Sequence, residues 1–407
     1  MNWVHLDAMS KFSLKSAFLP FFSGLLPLFV LAHFCHHLLT ALPIPLLPMI
    51  RSDFALDYTQ SGWVISAFNL SYGLGQLPAG WLTDRLGPRH MIAIGICGVA
   101  LAGFFIGLSH NFMMLIFLLA LMGFLGGGYH PAAPPMIFSS VDPKNQGRAL
   151  GLHTIGGSAS HFLSPLLAAA IASAWSWRGS FIGLAVPTLA FGIFFQSILT
   201  KRTAAKEPEP EEIPRAQETP SAGRSSLLVP FIFLSTFTGA VIFATNSFIP
   251  LFLVDRLGYS KETAGAFYAF LYAAGLWMSP LGGYFSDRWG RIPVILAICF
   301  MAGPVFYLLN WVSSGWAVGM LLLTIGMIIY VRMPVSEAYI IEQTPLRRRS
   351  LVLGIYFFSS MEGGGFLTPV MGYLIDKLGF YYSFTLSGTA LLAATLIFSI
   401  ILRSKAK

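Results

Sequence analysis

Stretches of about twenty apolar residues recur along almost the whole chain, and the short segments between them hold most of its charge. Twelve can be read: 22–48, 60–82, 90–109, 112–139, 147–172, 179–200, 227–253, 262–285, 292–312, 315–341, 351–374 and 382–402. A helix of about 20 residues crosses the hydrocarbon core of a bilayer, and a helix satisfies its own backbone N–H and C=O groups there. Only 10% of the 407 residues are charged, against about 25% in soluble domains. So apolar a chain has too little polar surface to cover soluble domains, and the lipid bilayer is its expected solvent. The expected fold class is an all-α membrane protein of twelve transmembrane helices. Pro131, Pro134 and Pro334 predict tilt or kinking in the fourth and tenth stretches. Cys35, Cys97 and Cys299 all lie within apolar stretches and read as packing residues.

The cations give the orientation. With the N-terminus in the cytoplasm, the inner segments hold Lys11, Lys15, Arg85, Arg89, Lys144, Arg148, five cations between 201 and 226, Arg288, Arg291, Arg347, Arg348, Arg349, Arg403, Lys405 and Lys407. The outer segments hold only Arg51, Arg178, Arg256, Lys261 and Lys377. This bias puts both termini inside. It also accounts for the net charge of +8 without a nucleic-acid partner. Asp7 and two lysines mark the first 17 residues, with no small-residue cleavage site after them, so the first stretch is expected to be retained rather than removed as a signal peptide.

Residues 201–226 (KRTAAKEPEPEEIPRAQETPSAGRSS) hold no apolar run and are rich in Pro, Glu and Lys. They read as a disordered cytoplasmic linker. It divides the chain into a six-helix half at 1–200 and a second at 227–407. The halves repeat. At a shift of 203 residues Asp84-Arg85 meets Asp287-Arg288, His130-Pro131 meets Met333-Pro334, Gly151 meets Gly354 and Phe181 meets Phe384. At a shift of 204, Phe162-Leu163-Ser164-Pro165 meets Phe366-Leu367-Thr368-Pro369. A near-constant offset through six helices predicts two pseudo-symmetric halves.

The loop after the second stretch reads Gly80-Trp81-Leu82-Thr83-Asp84-Arg85-Leu86-Gly87-Pro88-Arg89. After the eighth it reads Gly283-Tyr284-Phe285-Ser286-Asp287-Arg288-Trp289-Gly290-Arg291. Both copies resemble the major facilitator signature G-x-L-a-D-R-x-G-R-[RK], and the resemblance extends over the whole chain. It implies a secondary transporter whose Asp84, Arg85, Arg89, Asp287 and Arg288 form a charge cluster that gates the inner side. The run Gly126-Gly127-Gly128-Tyr129-His130-Pro131, followed by Gly147-Arg148-Ala149-Leu150-Gly151-Leu152-His153, resembles the fosmidomycin-resistance group of bacterial exporters. Ala132 stands where that group has a glutamate. Ser164-Pro165-Leu166-Leu167-Ala168-Ala169 lacks the glycines of the drug–proton antiporter signature.

A charge at the bilayer centre costs about 2.5–3.5 kcal/mol on insertion scales, so each one needs a reason. Arg332, Glu337 and Glu362 are the charged residues inside stretches ten and eleven. Arg332 offers a permanently charged fork suited to a carboxylate or phosphate; the rival reading is an ion pair with Glu337 or Glu362. Glu362, beside Gly363-Gly364-Gly365, and Glu337 are candidates for proton coupling. In the resembled family stretches one, four, seven and ten line a central cavity, which adds His33, His37, His130 and Asn246 as substrate contacts, with Tyr72 of stretch two. His33 and His37 share a helix face and His36 lies one position round. They suit a proton relay, a substrate contact or a metal such as zinc, copper, nickel or iron. Two same-face histidines do not make a metal site, so no metal ligand is assigned. His161, alone on its face, reads as packing.

The expected activity is proton-coupled movement of a small, anionic organic solute by alternating access. Export of drugs or amphipathic toxins is the alternative, and transition-metal transport a third. There is no phosphate-binding loop, zinc-protease motif or serine elbow, so neither ATP drive nor enzyme activity is expected. No cofactor is expected. The expected setting is a bacterial inner membrane, as a monomer.

Overall fold

The computed structural model describes residues 24–142, 146–203, 225–313, 315–345 and 349–404. Among them the chain is helical and has no strand. Most of the 201–226 linker, and Lys11, Lys15, Lys144, Arg347 and Arg348, lie outside the described residues.

Helix α1 spans Leu26–Thr40; Pro43 and Pro45 separate it from α2, Leu47–Phe54. Helix α3 runs Tyr58–Leu86. Asp57 caps it by accepting the Gln60 N–H at 2.6 Å, and the Gln60 side chain returns to the Asp57 N–H at 3.1 Å. This reciprocal pair satisfies donors that a helix start leaves open. Helix α4, Pro88–Ala93, passes through a π-helical turn, Ile94–Gly98, into α5, Val99–Ile106. Asn111 caps α6, Phe112–Gly126, by accepting the Met114 N–H at 2.9 Å. Gly127 and Gly128 part α6 from α7, Tyr129–Ser140. Helices α8, Gln146–Ala174, and α9, Trp177–Thr203, follow.

The later part contains α10, Ser225–Asn246; α11, Ile249–Asp255; α12, Lys261–Phe267; α13, Ala269–Ala273; and α14, Met278–Trp289. After them come α15, Arg291–Leu309; α16, Gly315–Gln343; and α17, Arg349–Ser404. Gly379 interrupts α17 at φ 76°, ψ 171°. The eleventh and twelfth expected stretches therefore meet at one glycine rather than across a loop.

Eight helical stretches among the described residues are long and apolar enough to cross a membrane, and α1 is a shorter apolar helix. Their outward faces carry large exposed apolar side chains, among them Met113, Phe117, Phe194, Val229, Phe366 and Ile397. A soluble monomer seldom shows so much apolar surface.

The two Asp-Arg loops end alike. Gly87 after α3 has φ 84°, ψ 146°, and Gly290 after α14 has φ 90°, ψ 151°. A side chain is strained there, so glycine is the residue that turns the chain directly into the next helix.

Helix α3 packs along α17, and both halves of the sequence meet in this seam. Glycines bring the backbones together. A Cβ on Gly62 would stand 2.7 Å from the Pro369 Cα, and one on Gly372 would overlap the Tyr58 carbonyl oxygen. Ser66 donates across the seam to the Gly365 carbonyl at 2.5 Å. Helix α8 packs on α12 and α13 in a second contact between the halves.

A polar clasp closes the seam where α3 begins. Arg51 pairs with Asp255 at 2.6 Å, and Tyr58 donates its hydroxyl to the same carboxylate at 2.7 Å. Asp376 of α17 accepts the Tyr58 and Thr59 backbone N–H groups at 3.0 and 2.8 Å, and the Thr59 hydroxyl at 2.6 Å. Asp84 and Arg85 lie at the far end of α3, about 40 Å away at 1.5 Å per residue.

Candidate substrate and proton sites

Helix α1 presents His33 and His37 to two other helices, α7 and α8. His33 stacks on His153 of α8, with ring centroids 4.1 Å apart and planes at 8°. The close approach depends on two glycines of α8. A Cβ on Gly157 would stand 2.6 Å from the His33 ring, and one on Gly156 would overlap the Val30 carbonyl oxygen. His130, at the start of α7, lies 5.2 Å from His33 and 5.4 Å from His37. His37 lies 4.5 Å from His161, which stacks on Tyr272 of α13 at 4.9 Å. His161 thus joins the cluster and carries it to the second half of the chain.

His36 faces a different way, as its position round the helix requires. Its Nδ1 donates to the Gly95 carbonyl at 3.0 Å, and its Nε2 accepts from the Tyr72 hydroxyl at 3.2 Å. Tyr72 is buried, and in this way supports the cluster from α3. The π-helical turn holds Gly95, so the departure from regular helix coincides with the carbonyl that His36 uses.

Arg332 of α16 is 7% exposed. Its Nη1 donates to the Ser235 carbonyl at 2.8 Å, the Ser235 hydroxyl at 3.0 Å and the Tyr356 hydroxyl at 3.3 Å. Its guanidinium lies against Gly239, where a Cβ would stand 2.7 Å from Nη2. Its Nε has no hydrogen-bond partner. No salt bridge joins Arg332 to Glu337 or Glu362 among the described residues. The guanidinium is thus cradled by neutral acceptors alone.

Glu362 is buried in α17, and its Oε1 has no hydrogen-bond partner. Its carboxyl occupies the space left by Gly73 of α3, next to Tyr72. Glu337 is half-buried further along α16. Asn246 ends α10, is 3% exposed, and has an unpartnered Oδ1. His33, His37, His130 and Tyr72 are therefore gathered in one place. Arg332 stands in a separate cradle with Ser235 and Tyr356, and Glu362 lies in the seam.

The two Asp-Arg loops differ in their side chains. In the first, Asp84 and Arg85 are exposed, and the Arg85 guanidinium sits 4.1 Å from the Trp81 ring centre. Arg89, in the first turn of α4, is half-buried. In the second, Arg291 binds Asp287 at 2.6 Å and Glu342, near the end of α16, at 2.8 Å. It also donates to the Ser286 hydroxyl. Arg288 only approaches the Tyr284 hydroxyl, at 3.4 Å. Arg291 is the hub of this loop. Sequence reasoning named Asp287 and Arg288 as its gate and did not see Glu342, which is 51 residues from Arg291. It also passed over Asp255 and Asp376, whose partners lie more than 190 residues away.

An all-helical chain with an apolar exterior, and ionisable side chains enclosed between its helices, has the build of a multi-pass membrane transporter. The family model of the Major Facilitator Superfamily matches residues 29–332, and the chain belongs to that family, whose members are transporters and not enzymes. It is 25% identical over 360 residues to the fosmidomycin resistance protein of Escherichia coli, covering 87% of this chain and 86% of that one. It is 24% identical over 370 residues to a probable sulfoacetate transporter of Cupriavidus necator, covering 84% and 85%. In fold it resembles a bacterial homolog of the human lysosomal transporter Spinster, in an inward-facing and occupied conformation. The TM-score is 0.72 at 18% identity, covering 93% of this chain and 95% of that one.

Proposed function

We propose that this transporter moves a small organic anion across a bacterial inner membrane, coupled to protons, by alternating access between two six-helix halves with both termini inside. The observation that carries the reading is Arg332. A buried guanidinium with no carboxylate hydrogen-bonded to it is costly to keep, and an incoming carboxylate, sulfonate or phosphate would relieve that cost through charge-assisted hydrogen bonds. The relative described as a probable sulfoacetate transporter handles such an anion. Glu362 supports proton coupling, because an unpartnered carboxyl in the seam links protonation to whether the seam is closed. Asp84, Arg85, Arg89 and the Arg291 cluster belong to the inner gate, and the Arg51–Asp255 clasp to the outer one. The near-equal backbone of Gly87 and Gly290 supports the twelve-helix, two-half arrangement, with a monomer as the working unit.

The test is uptake and efflux in proteoliposomes with an imposed pH gradient, over a panel of organic anions and cations. Anion flux should follow the gradient. Arg332→Ala should raise the half-saturating concentration by at least about 30-fold, the effect of losing about 2 kcal/mol from a buried charge contact. Unchanged anion flux in Arg332→Ala would sink the reading.

Export of a toxic compound is the second reading, and the similarity to the fosmidomycin resistance protein favours it. It requires that expression of the protein protect cells from a drug panel, and that Arg332→Ala leave the protection intact.

A further inference from the structure

We propose that His33, His37 and His130 bind one divalent transition-metal ion of the zinc class, with a coordination position left open for a small ligand. Binding of the ion does not depend on the anion reading. Ligand atoms of the three residues all lie within 4.8 Å of one another. His130, arriving on α7, supplies the third ligand that α1 lacks.

The hydrogen bonds set the nitrogens for coordination. The His153 carbonyl can only accept, so the Nδ1 of His33 carries the proton in their 2.8 Å bond. The Nε2 of His33 then bears a lone pair, and that nitrogen is buried with no hydrogen-bond partner. For His37, the Thr40 hydroxyl donates its proton to the His36 carbonyl at 3.4 Å. With the hydroxyl proton so placed, its oxygen can accept from the Nδ1 of His37 at 3.2 Å, the arrangement that frees Nε2 for a metal and that Thr40→Val tests. A ligating histidine commonly donates its other N–H in this way, which fixes its tautomer and aim. His36 is the contrast: both its nitrogens are engaged, by Gly95 and Tyr72.

The donor set chooses the ion. Three imidazoles without a carboxylate suit zinc, cobalt, nickel or copper, and not the oxygen-seeking magnesium or calcium. Zn–N bonds of about 2.0–2.1 Å put tetrahedral nitrogens about 3.3 Å apart, so the cluster must draw in by up to about 1.5 Å. His37 and His130 are less buried than His33. Three protein ligands leave a fourth position for water or a ligand, as in open zinc sites.

The experiment uses the full chain, purified in detergent without a polyhistidine tag, stripped with chelator and titrated with Co2+. One equivalent should bind with the visible absorption of a low-symmetry, near-tetrahedral Co2+ centre, and Zn2+ should displace it. His37→Gln and His130→Gln, each checked for an unchanged elution profile and unfolding midpoint, should abolish the signal. His110→Gln, exposed and remote in sequence, should keep it. Thr40→Val leaves all three ligands in place and should weaken binding about 10–100-fold by removing the partner of His37. The proposal is overturned if Co2+ does not bind at one equivalent. It is equally overturned if binding survives in His37→Gln or is unchanged in Thr40→Val.

Discussion

Asp376 holds the first turn of a helix that begins 318 residues earlier: its carboxylate accepts the Thr59 N–H at 2.8 Å and the Tyr58 N–H at 3.0 Å. A helix start has unsatisfied N–H groups and a partial positive charge, so a carboxylate is the natural group to close it. Here the carboxylate comes from the opposing side of the seam. Asp376→Ala should lower stability by about 1 kcal/mol, the usual worth of such a cap. It should also free the seam to part at this end. Ser61 is fully buried there. A cysteine at position 61 should react with a membrane-impermeant maleimide faster in Asp376→Ala than in the parent, and equal rates would argue against the clasp.

Arg51 and Asp255 are each about one-quarter exposed in their side chains. Their coupling should therefore be modest, about 0.5–1 kcal/mol. A double-mutant cycle on thermal unfolding, with Arg51→Ala and Asp255→Ala, measures it. The charge-swapped pair, Arg51→Asp with Asp255→Arg, should recover part of what either single reversal loses.

Glu362 and Gly73 share one space. Glu362→Gln should abolish pH-driven accumulation and spare substrate exchange, because exchange needs no net proton movement. Gly73→Ala should displace the carboxyl and reproduce part of that defect. The displaced atom is the end of a flexible side chain, so the fold should survive. Parallel assays of counterflow and pH-driven uptake separate the two processes; loss of both in Glu362→Gln would assign the residue to the fold or to substrate.

Arg291 and Arg288 make a paired test of the second Asp-Arg loop. Arg291→Ala leaves Asp287 and Glu342 without their shared cation and should cost about 1 kcal/mol. Arg288→Ala removes one long contact and should stay within about 0.5 kcal/mol of the parent. Comparison of unfolding midpoints decides it, and equal effects would remove Arg291 as the hub.

The sequence carried the all-helical class and the family because both are written locally. Apolar length marks a span, and an Asp-Arg-x-Gly loop marks itself. Even the equivalence of Gly87 and Gly290 was visible as spacing. The sites were legible only in part. The shared face of His33 and His37 follows from helical period, but His130 and His161 arrive on other helices, and nothing local reports that distance. His161 read as packing because no partner lay near it in sequence; His37 and Tyr272 supply the partners in space. Arg332 was seen as a charge needing a reason, whereas its cradle of Ser235 and Tyr356 consists of common residues with no motif. The division of α1 from α2 was hidden because Pro43 and Pro45 sit within an otherwise apolar run.

The seam between α3 and α17 meets through bare backbone at Gly62 and Gly372, whereas side chains interlock further along, Glu362 against Gly73 and Leu70 against Gly365. Surfaces joined by interlocked side chains must withdraw each knob before they separate, and that sets a high threshold. The stretch at Gly62 and Gly372 has few knobs to withdraw. At this end, resistance to parting is then concentrated in the few polar atoms around Arg51, Tyr58 and Asp376. Under the proposed alternating access, the speed of the cycle would accordingly be adjustable at those atoms, by single substitutions far from Arg332.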